Sequence, residues 1–288
     1  MTTLEEVRDR ISQRSEKSRA SYLEEVKGRR RAKFGGSGLS PSNQAHAFAS
    51  CPAREKKQAM NATWPNIGII TAYNDVLSAH QPYEIYPNHI KSEARKNGCT
   101  CQVAAGVPAM CDGVTQGMPG MELSLFSRDV IAMATSIGLS HDIFDSAIFL
   151  GICDKIVPGM LIGASQFGHI PSIFVPSGPM TSGLANNKKS EIRRLYADGK
   201  VSRAELVEAE TASYHGPGTC TFFGTANTNQ LMLEFLGLMV PSSAFVTPGT
   251  QLRTALTNEA VKIASTIGRP GNNYIPISDV ITENSIVN

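Results

Sequence analysis

From residue 65 onward the chain alternates short apolar runs with stretches whose apolar residues recur every three or four positions. "NIGIITAYND" predicts a strand ending near Thr71, and "PYEIYPNHIKSEARKNG" a helix closed by Gly98 at a C-cap position. "TCQVAAGVPAMCDG" reads as a second strand and its loop, followed by a helix over "MELSLFSRDVIAMATSIGL". "SAIFLGICDK" is a third strand, "GMLIGASQFGH" a short helix and "IPSIFVPSG" a fourth strand. Such β-α-β-α repetition requires parallel strands joined by right-handed crossovers. The expected fold class is α/β, a mostly parallel sheet with helices on both faces.

Before this region the texture differs. Residues 4–32 alternate charged and apolar positions with helical period, Thr3 and Glu6 have capping-box spacing, and "GGSGLSPSN" then interrupts the pattern. Residues 1–64 are therefore expected to be a helical N-terminal extension with a Gly/Ser linker inside it, and residues 65–288 an α/β domain. After the fourth strand come two polar helices, "KKSEIRRLYADG" and "SRAELVEAETASY", then the loop "HGPGTCTFFGTANTN" and an apolar helix "QLMLEFLGLMV". Beyond Pro241 the pattern gives few signals.

Composition narrows the class. With 288 residues, 41% of them hydrophobic, the chain can fill a core. No run approaches the length of a membrane span, and "MTTLEEVRDRISQRSEK" lacks the apolar stretch of a secretory signal, so a cytoplasmic enzyme without a membrane partner is expected. Residues 1–57 hold 13 Lys/Arg against 7 Asp/Glu. Acids and bases interleave there at helical spacing, which favours a solvated helix face over a nucleic-acid-binding arm.

The six cysteines, at 51, 99, 101, 111, 153 and 220, are too dispersed for a disulfide scaffold, and there is no CxxC pair. Cys99 and Cys101 are as well explained by core packing as by a CxC site. In open parallel sheets, ligands bind beyond the carboxyl ends of the strands. Four loops meet there: "TAYNDVLSAH", "MCDGVTQGMPG", "CDKIVPG" and "PSGPMTSG". Taken singly, Cys153 reads as a small buried hydrophobe, Asp112 as a turn residue, Asp154 as a helix cap and Lys155 as a solvated charge or one paired with Asp154. The repetition of Cys-Asp at 111/112 and 153/154 points instead to a soft ligand beside a hard one, suited to iron and magnesium. The small residues around Cys220 free backbone N–H groups to face a cluster or anion. For an anionic group, His80, Lys188 and Lys189 offer charge, but no P-loop is present.

The stretches "ITAYNDVLSAHQPYE", "GVPAMCDGVTQGMPGMELSLFSRDVIAM", "GLSHDIFDSAIFLGICDKIVPG", "FVPSGPM" and "ASYHGPGTCTFFGTANTNQ" resemble the dihydroxy-acid dehydratase/6-phosphogluconate dehydratase family, on its phosphogluconate side. The resemblance covers roughly residues 66–240. It implies an iron–sulfur cluster, 4Fe–4S in preference to 2Fe–2S, together with Mg2+. Cys153 and Cys220 match cluster ligands. Asp112 and Asp154 match magnesium ligands, and Lys155, the candidate catalytic residue, matches a lysine that becomes a ligand on carbamylation. Ala79 stands where dihydroxy-acid dehydratases carry a third cysteine, and Cys111, abutting Asp112, is the substitute. The implied activity is dehydration of 6-phospho-D-gluconate by a homodimer, with a phosphorylated sugar acid as substrate and no nucleic-acid partner. Family members are about twice this length, so the chain is expected to be an N-terminal portion without the C-terminal β-barrel-like domain and its base. A dehydratase for another sugar acid or dihydroxy acid, and a non-catalytic metal- or phosphate-binding α/β domain, remain as alternatives.

Overall fold

Four short strands carry the architecture: β1 (Asn66–Thr71), β2 (Thr100–Gly106), β3 (Ser146–Leu150) and β4 (Ser172–Phe174). The computed structural model describes residues 2–30, 33–220 and 223–287. Its strands lie in the order β2-β1-β3-β4, all parallel, as the alternating pattern predicts. The chain steps from β1 outward to β2, then crosses back to β3 on the other side. This places the topological switch point between the carboxyl ends of β1 and β3, where crossovers leave in opposite directions.

Helices α1 (Thr3–Arg29), α2 (Pro41–Ala47) and α3 (Ala53–Met60) precede the sheet. Between the strands run α4 (Tyr86–Lys96), α5 (Asp112–Thr115), α6 (Ser124–Leu139) and α7 (Ile156–Gln166). After β4 come α8 (Asn186–Ala197), α9 (Arg203–Ser213), α10 (Thr228–Phe235), α11 (Gln251–Ile267), α12 (Ile277–Val280) and α13 (Glu283–Val287).

Both sheet faces are covered, which is why β1 and β3 read as nearly unbroken apolar runs. Alternate residues of β3 serve different cores. Ala147 and Phe149 join Ile131 and Leu139 of α6 and Met160 of α7, while Ile148 and Leu150 join Ile90 of α4 and Val261 of α11. Phe149 stacks on Phe174 of β4 with ring centroids 4.7 Å apart. Cys99 and Cys101 lie inside the second core, so packing accounts for them, and burial pushes the Cys101 thiol far above its ordinary range.

Two details differ from the pattern reading. The capping box of α1 uses Thr2 and Glu5, one position earlier than Thr3 and Glu6, which brings both Glu5 and Glu6 into the first turn against the positive helix end. More substantially, the region after Pro241, thin in sequence signals, contains the 17-residue helix α11. Its buried face is built from small or polar residues, Arg253, Thr257, Ala260, Ala264 and Ser265, with Val261 alone among larger aliphatics, so the hydrophobic stripe is faint.

Helix α1 buries a single residue, Val26, yet is tied down at its C-terminal half. Tyr22 Oη donates to the Ser165 carbonyl at 2.9 Å, and Arg19 donates to the carbonyls of Ser278 (3.2 Å) and Ile281 (2.9 Å). The extension therefore packs across α7 and the α12–α13 segment. Among the described residues, no helix is long and apolar enough to cross a membrane.

Candidate metal centre

Strand β3 ends at Leu150, and the chain then runs through Gly151, Ile152, Cys153, Asp154 and Lys155 before α7 begins. Gly151 is required here, because a Cβ would sit 2.6 Å from Met160 Sδ and 2.7 Å from Ile156 Cγ2. Cys153 has φ +82°, a left-handed conformation costly for a residue with a Cβ. Its carbonyl nevertheless accepts the Val157 N–H at 3.0 Å, so the strained residue is locked to the first turn of α7.

The side chain of Cys153 meets the other two candidate thiols electrostatically. Burial first, then the nearby Cys111 and Cys220 sulfurs and the Asp154 carboxylate, push its thiol well above the ordinary value, while Lys155 pulls the other way. Cys111 and Cys220 are thus each near enough to act on Cys153. A bound cation would have to drive the proton off Cys153, which thiophilic metals do.

Beside the thiols lies an oxygen-rich cluster. The Lys155 ammonium is only 5% exposed and donates to Asp154 Oδ2 at 2.7 Å and to Asp112 Oδ2. Ser124 Oγ, at the start of α6, donates to Asp112 Oδ1 at 2.6 Å. Burial alone would favour neutral Asp112, but the hydrogen bonds from Lys155 and Ser124 and the lysine's charge outweigh it and hold the carboxyl below its ordinary range. The same pairings overcome the burial of Lys155 and raise its pKa. Asp154 therefore does not cap α7; Lys155 occupies the N-cap position, and its side chain is buried and paired with Asp154, as the sequence allowed, and with Asp112.

These donors fit the implied groups. Two carboxylates already flank one cation, the Lys155 ammonium, as hard oxygen donors to a divalent ion would, and Cys153, with Cys111 and Cys220 near it, supplies soft donors beside them. Among the described residues, no three His, Cys, Asp or Glu side chains close on one point as around a single ion. This is compatible with the fit: Lys155 fills the space between the carboxylates, and a polynuclear cluster keeps its thiolates apart.

Several supporting residues carry no sequence signal. Asn227 organises the Cys220 loop, its Nδ2 donating to the Cys220 carbonyl at 3.0 Å while its Oδ1 accepts from Thr219 Oγ1 at 2.6 Å and Gln230 Nε2 at 3.0 Å. A π-helical turn, Phe223–Asn227, leads from this loop into α10, a feature common at functional sites. Thr219 also bridges to the loop after β4, its N–H donating to the Gly178 carbonyl at 2.9 Å and its carbonyl accepting from the Met180 N–H at 3.1 Å.

Other expected contributors do not join the cluster. His80 is fully buried, with its pKa lowered by burial to about 4, so it supplies no positive charge for a phosphate. Lys189 is buried on α8 with its Nζ 4.8 Å from the centre of the Tyr214 ring. Lys188 is exposed beside it. Asn74 accepts the Val76 N–H in its own turn, and Asp75 accepts from Tyr73 Oη.

A family model described as dihydroxy-acid/6-phosphogluconate dehydratase N-terminal matches residues 64–288. The chain belongs to that dehydratase family. It is 56% identical over 279 residues to the phosphogluconate dehydratase of Rhizobium meliloti (strain 1021), covering 97% of this chain and 46% of that protein. It is 55% identical over 287 residues to the phosphogluconate dehydratase of Zymomonas mobilis (strain ATCC 31821 / ZM4 / CP4), covering 100% and 47%. It is 52% identical over 282 residues to that of Escherichia coli (strain K12), covering 98% and 47%. The chain thus spans about half the length of these dehydratase relatives.

Proposed function

We propose that the chain forms the metal-holding part of a hydro-lyase that converts 6-phospho-D-gluconate to 2-dehydro-3-deoxy-6-phosphogluconate in the Entner–Doudoroff pathway. The observation that supports this reading is the Lys155 ammonium bonded to both Asp112 and Asp154 next to Cys153, which Cys111 and Cys220 are near enough to affect, in a chain more than half identical to phosphogluconate dehydratases. In this reading, residues 1–64 are a helical extension and 65–288 the α/β domain. A homodimer and a cytoplasmic location go with it.

The reaction removes a proton from C2 and hydroxide from C3, forming water and an enol that becomes the ketone. Cys111, Cys153 and Cys220 would hold an iron–sulfur cluster, read as 4Fe–4S, and Asp112, Asp154 and carbamylated Lys155 would hold Mg2+. When bound, these groups supply Lewis acidity for the leaving hydroxide and for the charge that builds beside the carboxylate. The chain's own contribution is placement. Ser124 fixes one oxygen of Asp112, and the α7 turn fixes the backbone of Cys153. Lys155, buried and hydrogen-bonded to both carboxylates, ties the Asp112 and Asp154 side chains together. Three cysteine ligands rather than four would leave such a cluster able to supply Lewis acidity, and oxygen sensitivity is an expected property.

The test is a coupled assay on the complete polypeptide, purified without oxygen and supplied with Mg2+, comparing 6-phosphogluconate with gluconate and dihydroxyisovalerate. Turnover confined to 6-phosphogluconate supports the proposal. Preference for either other acid transfers it to a different dehydration within the family.

A further inference from the structure

Beyond Leu150 the main chain leaves the sheet, and the N–H of Ile152 has no strand to bond. A buried amide left unpaired costs stability. Its partner is the imidazole of His80: the Ile152 N–H donates to His80 Nε2 at 3.1 Å, one residue before the strained Cys153. The residues preceding His80 are also engaged. Ser78 O accepts the N–H of Gly218 at 2.7 Å, two residues before Cys220. Ala79 O accepts from Ser177 Oγ at 2.6 Å, in the loop after β4.

Three consecutive residues thus each accept a hydrogen bond from a different loop, and two of those loops carry Cys153 and Cys220. The bracket sits in the interior, since Ala79 is 6% exposed while His80 and Ser177 are fully buried. Gly218 can enter it only as glycine: φ is +123°, and a Cβ would lie 2.4 Å from the Met180 nitrogen. Because Nε2 accepts, the ring's single proton resides on Nδ1, which has no partner among the described residues.

We propose that Ser78-Ala79-His80 is a positioning bracket that sets the Cys153 loop against the Cys220 loop, with the His80 imidazole as its crosspiece. The inference rests on the cluster reading above and adds residues that hold no metal themselves. It follows from geometry that the essential property of His80 is an acceptor at the Nε2 position. Glutamine offers an oxygen the same number of bonds from Cβ. Phenylalanine offers a ring without an acceptor.

The test compares the wild-type chain with His80→Gln and His80→Phe, each reconstituted anaerobically with iron and sulfide after circular dichroism has established folding. The readouts are iron per chain, the rate at which a chelator removes that iron, and the electron paramagnetic resonance spectrum of the reduced cluster. His80→Phe is expected to lose iron about ten-fold faster with an altered spectrum, the effect of one unpaired buried amide, whereas His80→Gln stays within about two-fold of wild type. Equal rates and spectra for wild type and His80→Phe would overturn the proposal, as would equal loss in both variants, which would assign the role to ring packing. If His80→Phe fails to fold, Ser177→Ala takes its place: faster release supports the bracket, and an unchanged rate overturns it. A wild-type chain that takes up no cluster overturns the cluster reading itself and this inference with it, an outcome separate from a loaded wild type with indifferent variants.

Discussion

The carboxylate of Asp112 accepts a hydrogen bond from the ammonium of Lys155 across 43 positions of sequence. The pair joins the loop after β2 to the loop after β3 and makes the oxygen side of the site one unit. As an ammonium, Lys155 repels any divalent cation approaching Asp112 and Asp154; as a carbamate it would attract one. Mn2+ affinity of the wild-type chain, measured by electron paramagnetic resonance titration, is therefore expected to rise about ten-fold on adding bicarbonate. Lys155→Arg, which keeps the charge but cannot be carbamylated, is expected to show no such rise. A bicarbonate effect that survives in Lys155→Arg would separate it from this residue.

Cys153 and the two thiols near it, Cys111 and Cys220, should differ from the remaining cysteines in holding iron. Cys111→Ser, Cys153→Ser and Cys220→Ser are each expected to weaken iron retention about ten-fold or more, as loss of a metal contact does. Cys51→Ser, on the half-buried cysteine just before α3, should retain the wild-type amount. Anaerobic iron and sulfide analysis with visible spectra decides the matter. Full iron in Cys111→Ser would remove that residue from the set while leaving the other two.

The candidate site is legible in sequence to the extent that its chemistry is local. Cys153, Asp154 and Lys155 are adjacent, their apolar run announces a buried parallel strand, and the Cys-Asp dipeptide recurs at 111/112. What sequence could not disclose was pairing across the fold. Nothing in the spacing of Ser124, Asn227 or His80 announces that they fix Asp112, the Cys220 carbonyl and the Ile152 amide. His80 is opaque for a related reason: a histidine in a polar loop offers charge by composition, and only burial reveals a neutral acceptor. Helix α11 escaped because alanine, threonine and a buried arginine carry its core face, whereas α6 and α7 announce themselves with larger aliphatics.

Helices α6 and α7 approach closely because α7 presents glycines to its neighbour. A Cβ on Gly163 would lie 2.6 Å from Thr135 Cβ and 2.8 Å from the Ala132 carbonyl, and one on Gly159 2.7 Å from the Arg128 carbonyl. Backbone atoms cannot yield as a side-chain tip can. Gly163→Val is expected to lower the unfolding free energy by about 1–3 kcal/mol or more, because the helices must separate. Since α7 starts immediately after Lys155, the displacement should also reduce the iron that the chain retains after reconstitution. Urea denaturation of the chain checks the first expectation, and iron analysis of the same sample the second.

His80 should give the fold a measurable acid sensitivity. In the folded chain burial lowers its pKa to about 4, against 6.5 for the unperturbed imidazole. Above about pH 6.5 both states hold the ring neutral, so its contribution does not vary. As pH falls from 6.5 toward 4, the unfolded chain accepts a proton that the folded chain refuses, and stability declines across that window. Between about pH 7.5 and about pH 5 the loss attributable to this one residue is about 2 kcal/mol. His80→Gln carries no titrating group, so its stability should fall less over the same interval by that amount, whatever other groups contribute equally to both proteins. Urea denaturation of wild type and variant at the two pH values measures the difference, and parallel losses would show that His80 takes up its proton in the folded state as readily as in the unfolded one.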